Sequence, residues 1–159
     1  MVDAAWSDRL LRFFRDMLAF YEEFLSFEKE KYAVLVSGKL KELDTCLKRE
    51  QAFTLKARGF EHNRVRLLKE AGVSDGTFRE LISKLEPSRQ EPMKKLYGEI
   101  SGTVGRLQNT NSRCSQMTRV KLGRVSHILS NAENHPELKR IYGKKLPDAE
   151  PGSTFSEKI

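Results

Sequence analysis

"WSDRLLRFFRDMLAFYEEFLSF", residues 6 to 27, carries its apolar side chains at a fixed rhythm. Trp6, Leu10, Phe13, Met17, Phe20, Phe24 and Phe27 are spaced four, three, four, three, four, three. That is the seam spacing of a coiled coil. A second stripe, Leu11, Phe14, Leu18, Tyr21 and Leu25, runs beside the first. Two adjacent stripes make a wide apolar face, as needed by a helix that touches two neighbours, or one neighbour and a partner. The pattern predicts a helix from about Ala4 to Val36, a rod of roughly 50 Å.

The rest of the chain supplies the neighbours. "SGK", Ser37 to Lys39, is a stop, with Gly38 placed for a left-handed cap. Leu40, Leu43 and Leu47 then restart a helical pattern, which continues through Phe53, Leu55, Phe60, Val65, Leu67 and Leu68 to about Ala71, with Gly72 as its stop. So short a connection forces an antiparallel hairpin. Glu61 with Arg64, and Arg66 with Glu70, have the spacing of surface ion pairs. Thr77 and Glu80 form a capping-box pattern ahead of a short helix from Phe78 to Leu85, which Pro87 ends. A third long helix begins near Ser88 and carries Met93, Leu96, Ile100, Val104 and Leu107, then Val120, Leu122, Val125, Ile128 and Leu129. No run alternates as a strand. The fold class is therefore all-α: an elongated antiparallel bundle of three long helices with one short connecting helix. Residues 1–143 form a single helical domain, and residues 144–159 read as a disordered tail.

Between the two apolar parts of the third helix, from Gln108 to Gln116, only Cys114 lacks strong polarity. A break in the helix would want Gly or Pro, and neither occurs between Gly105 and Gly123. Carried through the stretch, the seam register turns Asn111 and Cys114 inward, between Leu107 and Thr118. A buried polar layer inside a continuous helix is then the plainest account, since a seam asparagine costs stability but fixes register. A partner groove at that level is the alternative.

Composition narrows the function. In 159 residues, 38% are hydrophobic and 32% charged, a balance that suits long thin helices each wetting one face. The first 86 residues contain no proline, so uninterrupted helices are permitted there. The longest uncharged run, "VSHILSNA" at 125 to 132, is far short of the roughly 20 residues that span a bilayer. Asp3 and Asp8 stand where a signal peptide would be basic, so a cytoplasmic protein without membrane insertion is expected. Cys46 and Cys114 are too few for a disulfide framework or a Cys-rich zinc site. His62, His127 and His135 share no ligand spacing with a cysteine or carboxylate cluster. Phosphate-loop, nucleophile-elbow and zinc-protease motifs are absent. No catalytic residue, metal or cofactor is expected.

Charge is unevenly placed. Residues 1–37 sum to −2, whereas residues 38–73 sum to +4 and residues 87–131 to +6. The basic third helix suits an acidic partner. It also raises an alternative, a basic helical nucleic-acid-binding or coiled-coil adaptor protein. No helix-turn-helix or aromatic stacking platform supports the nucleic-acid version, and the net-acidic first helix argues against a membrane-surface role.

The order of these features carries a resemblance. Leu-x-x-Leu-Asp at Leu40 to Asp44 follows the small-residue turn, and then come Glu50-Gln51, Glu61 and Arg64 ahead of Leu67 and Leu68. Asn109-Thr110-Asn111 follows an Ile100/Leu107 heptad, and Val125-x-x-Ile128-Leu129 and Tyr142-Gly143 close the series. Over residues 5 to 143 this resembles the FlgN-like flagellar export chaperones. The resemblance implies a cytoplasmic, non-enzymatic chaperone. Its clients would be flagellar hook-associated proteins of the hook–filament junction, held by their C-terminal helices before type III export. It implies client contact through the C-terminal region, here Val120, Leu122, Val125, Ile128 and Leu129, with Arg119, Lys121 and Arg124 beside them. Tyr142 is expected to touch the client or the export gate. A wide apolar face also allows self-association.

Overall fold

A computed structural model of the chain describes residues 3–73 and 77–131. In order along the chain, α1 spans Ala4–Ser37, α2 Leu40–Glu70, α3 Phe78–Ser83 and α4 Pro87–Asn131. The described residues contain no strand.

Each boundary has a local cause. Asp3 caps α1, its carboxylate accepting the Trp6 N–H at 2.7 Å. Gly38 ends α1 in the left-handed region at φ 72°, its N–H donating to the Val34 carbonyl. At the end of α2, Gly72 takes φ 76°, and Val73 N–H reaches the Leu68 carbonyl at 3.0 Å. This is a Schellman cap, with Val73 packed on the core. Pro87 does not end α3 but opens α4, where its missing N–H costs nothing. Thr77 has the extended backbone of an N-cap, but its side chain makes no capping bond. The six-residue α3 is instead held by burial of Phe78, Leu81 and Ile82, as expected for a helix too short to stand alone.

Two reversals make the first and last long helices parallel; the antiparallel packing is between α1 and α2, and α4 packs on α1 alongside α3. Arg9 pairs with Glu70 at 2.8 Å and Lys31 with Glu50 at 2.7 Å, so α2 runs against α1. Glu70 thus pairs across helices rather than with Arg66. Glu61 and Arg64 do pair, at 2.5 Å. Arg89 meets Asp8, the Cys114 thiol meets the Glu28 carbonyl, and the Lys121 amine meets the Val36 carbonyl, so α4 runs with α1 in one sustained register.

The two stripes of α1 serve two neighbours. Phe20 stacks on Phe60 at 5.0 Å, and Phe24 and Phe27 lie 4.9 and 5.0 Å from Phe53, all toward α2. Phe14 of the second stripe meets Phe78 edge-on at 4.6 Å and faces Tyr97 of α4. On α4 the buried residues Met93, Ile100, Thr103, Val104, Leu107, Asn111 and Cys114 keep the seam spacing. Only Cys46, Leu67 and Leu68 of α2 are buried, so α2 sits on the bundle more lightly than α4.

Candidate functional site

The polar stretch is an unbroken part of α4. Asn111 and Cys114 do turn inward, 7% and 2% exposed, while Asn109, Ser112, Arg113 and Gln116 face outward. Opposite them α1 also leaves the apolar pattern. Glu28 is completely buried, and Lys31 nearly so. The Lys31 amine lies 3.1 Å from Glu28 Oε2 and 2.7 Å from Glu50 Oε1 on α2. Glu28 Oε2 is within charge range of the amine but forms no directed hydrogen bond. Burial pushes the Glu28 carboxyl up to about 7, with Lys31 opposing the shift and Glu50 adding to it. Burial pulls Lys31 down, but Glu28 and Glu50 outweigh it and hold the amine above its ordinary value. Burial also raises the Cys114 thiol to about 12, so it is a packed side chain rather than a nucleophile. The layer ties all three long helices together at one level.

Beyond that layer α4 keeps going and its neighbours do not. The Lys121 amine donates to the Val36 carbonyl at 3.2 Å, satisfying an orphan carbonyl at the end of α1. That contact marks where α1 stops along α4. Residues 122–131 continue as helix for about 15 Å past it. No residue of α4 after Cys114 is buried.

The expected partner-binding residues divide on this overhang. At about 100° per residue, Leu122, Val125 and Leu129 fall on the same line as Ile100, Leu107, Asn111 and Cys114. They extend the seam where α1 no longer faces it, and each is half-buried. Ile128 lies at the edge of that line and is exposed. Val120, 49% exposed, lies on roughly the opposite side of the helix. Tyr142, Gly143 and the segment 144–159 lie outside the described residues.

The hairpin end of the molecule holds apolar residues the sequence pattern did not single out as surface. Val36 and Leu47 are exposed, and Leu40 is 71% exposed. Leu40, Leu43 and Leu47 mimic a seam, yet only Leu43 is even half-buried. The Lys31–Glu50 and Glu30–Arg49 pairs set Leu47 level with about residue 33 and Leu43 level with the end of α1, so the repeat runs out beside a helix that is stopping.

Among the described residues no group of His, Cys, Asp and Glu is arranged to hold a metal ion, and no helix is long and apolar enough to cross a membrane. Among the described residues the longest helix outruns α1 and keeps an apolar line beyond it. A family profile described as FlgN protein matches residues 1–146, and the chain belongs to that family of flagellar export chaperones. It is also 29% identical over 143 residues to an uncharacterized protein, YvyG, of Bacillus subtilis (strain 168), covering 87% of this chain and 89% of the relative. No solved structure matches.

Proposed function

We propose that this protein is a cytoplasmic chaperone that holds the C-terminal helical segments of flagellar hook-associated proteins before type III export. The observation that carries this reading is the continuation of the α4 seam, as Leu122, Val125 and Leu129, past the end of α1. A client segment destined for a helical bundle has an apolar stripe that must be covered until assembly. An α4 seam that no helix faces among the described residues offers the complementary anchors at i, i+3 and i+7. Ile128 rims this seat, and Val120 contacts the client only if the client wraps round α4. Arg119, Lys121 and Arg124 place positive charge beside it, and α4 has no carboxylate after Glu99. Tyr142, outside the described residues, is assigned to client or export-gate contact by the family resemblance alone.

Nucleic-acid binding fits less well. Of the basic residues on α4, Arg89 pairs with Asp8, Lys94 with Glu91 and Arg106 with Thr103. Arg113 lies over Tyr32 and Lys121 caps Val36. Side chains so engaged make a poor phosphate track.

Copurification with the C-terminal hundred-odd residues of candidate hook-associated proteins tests the proposal. The wild-type chain is expected to retain one of them. A variant with Leu122, Val125 and Leu129 all changed to Ser should lose affinity at least about a hundredfold while staying folded. Equal retention by that variant would remove these residues from the site.

A further inference from the structure

We infer that the end of the α1–α2 hairpin is a second wall of the client seat, so that a client helix lies on the α4 overhang in line with α1 and abuts Val36 and Leu40. This rests on the chaperone reading and adds a surface to it. Three observations converge.

The first is continuity. Along α1 and α4 one interface runs from Asp8–Arg89 through Glu28–Cys114 to Val36–Lys121. At Lys121 the α1 side ends and the α4 side does not. A helix that takes the vacant side as a continuation of α1 must meet the turn at residues 37–39 with its near end.

The second is the surface of that turn. Turns that face only water are polar, yet this one is flanked by Val36 and Leu40, both strongly exposed. Lys121 draws the turn onto α4: its amine holds the Val36 carbonyl and lies 3.9 Å from where a side chain on Gly38 would begin. The hairpin turn and the first turn of the overhang are therefore adjacent.

The third is charge, which selects the occupant. Arg119 and Arg124 flank the seam with no carboxylate contact among the described residues, and every charged residue of α4 after Glu99 is basic. A second copy of this chain would bring the same positive charge to the same place. The occupant that fits is an amphipathic helix with an apolar stripe flanked by Asp and Glu.

The test is titration of a hook-associated C-terminal segment onto the full chain, with circular dichroism as the check on folding. The double variant Val36→Ser/Leu40→Ser is expected to bind about tenfold more weakly. Leu55→Ser, an equally exposed leucine farther along α2, should bind like wild type. Arg124→Glu should weaken binding, and more so at low salt than at high. If the hairpin variant binds like wild type while Leu122→Ser/Val125→Ser does not, the second wall is refuted and the α4 seat stands. If wild type binds no such segment, the chaperone reading itself falls. If the free chain dimerises through Val36 and Leu40, the surface is a self-interface and the inference is overturned.

Discussion

Lys31 is the residue on which the three long helices converge. Its amine stands between a carboxylate of its own helix, Glu28, and one from α2, Glu50, with Cys114 of α4 closing the layer. One amine is shared between the buried Glu28 and the half-buried Glu50, and Glu28 Oε2 is left without a hydrogen bond. Because its folded value, about 7, lies above the ordinary carboxylate value of 4.5, the folded state holds this proton more tightly than the unfolded chain. The associated stability is complete below the ordinary value and is lost as pH rises through 7. Lys31, shifted upward, stays charged across this window and adds no slope. Glu28→Gln is therefore expected to gain on wild type by about 1–3 kcal/mol between pH 5 and pH 8 in urea unfolding. Parallel stability profiles for the two proteins would show that Glu28 is already well compensated. The layer buries charge at some cost; a fixed register among three rods is the compensation proposed for it.

At the scale of elements, α1 is the hub and α2 the lightest attachment. From Leu40 to Ala52 the only buried residue of α2 is Cys46, and the rest of the hold is Lys31–Glu50, Arg49–Glu30 and the Arg49 guanidinium over Phe27. Below that level two rings do most of the seating: Phe53 on Phe24 and Phe27, and Phe60 on Phe20. Phe53→Ala should cost roughly 2–4 kcal/mol in denaturant unfolding. A loss under 1 kcal/mol would mean that α2 is held by its charges instead. Much of this arrangement was legible in the sequence. The spacing from Trp6 to Phe27 marked a helix with two neighbours or one neighbour and a partner, and the seam register of α4, carried through a stretch with almost no apolar residues, placed Asn111 and Cys114 inward. Legibility failed where spacing alone does not determine what stands opposite. Leu40, Leu43 and Leu47 repeat like a seam, but α1 is ending there. Val120 belonged to an apolar group by composition, while its angle puts it behind the others. Thr77 and Glu80 spell a capping box that the packing of Phe78, Leu81 and Ile82 makes unnecessary.

For the molecule as a whole, length mismatch is the device on which the proposed function rests. A 34-residue α1 beside a 45-residue α4 in parallel register leaves a helical arm that no other described helix covers, and the arm keeps the seam's apolar line. Such a shape was implied by three helices of unequal length, but the sequence did not show on which end the excess would fall. The buried polar layer and the Lys121 contact set that end, because together they fix α4 against α1. An arm that no described helix faces is expected to have backbone hydrogen bonds that open easily to water, and a docked client would close them. Hydrogen exchange across residues 118–131, measured with and without a hook-associated C-terminal segment, is the most direct test. The account predicts fast exchange in the free chain and strong protection in the complex, centred on Leu122 to Leu129, with Phe13 to Phe27 unchanged. Protection elsewhere, with the arm exchanging as freely as before, would contradict it.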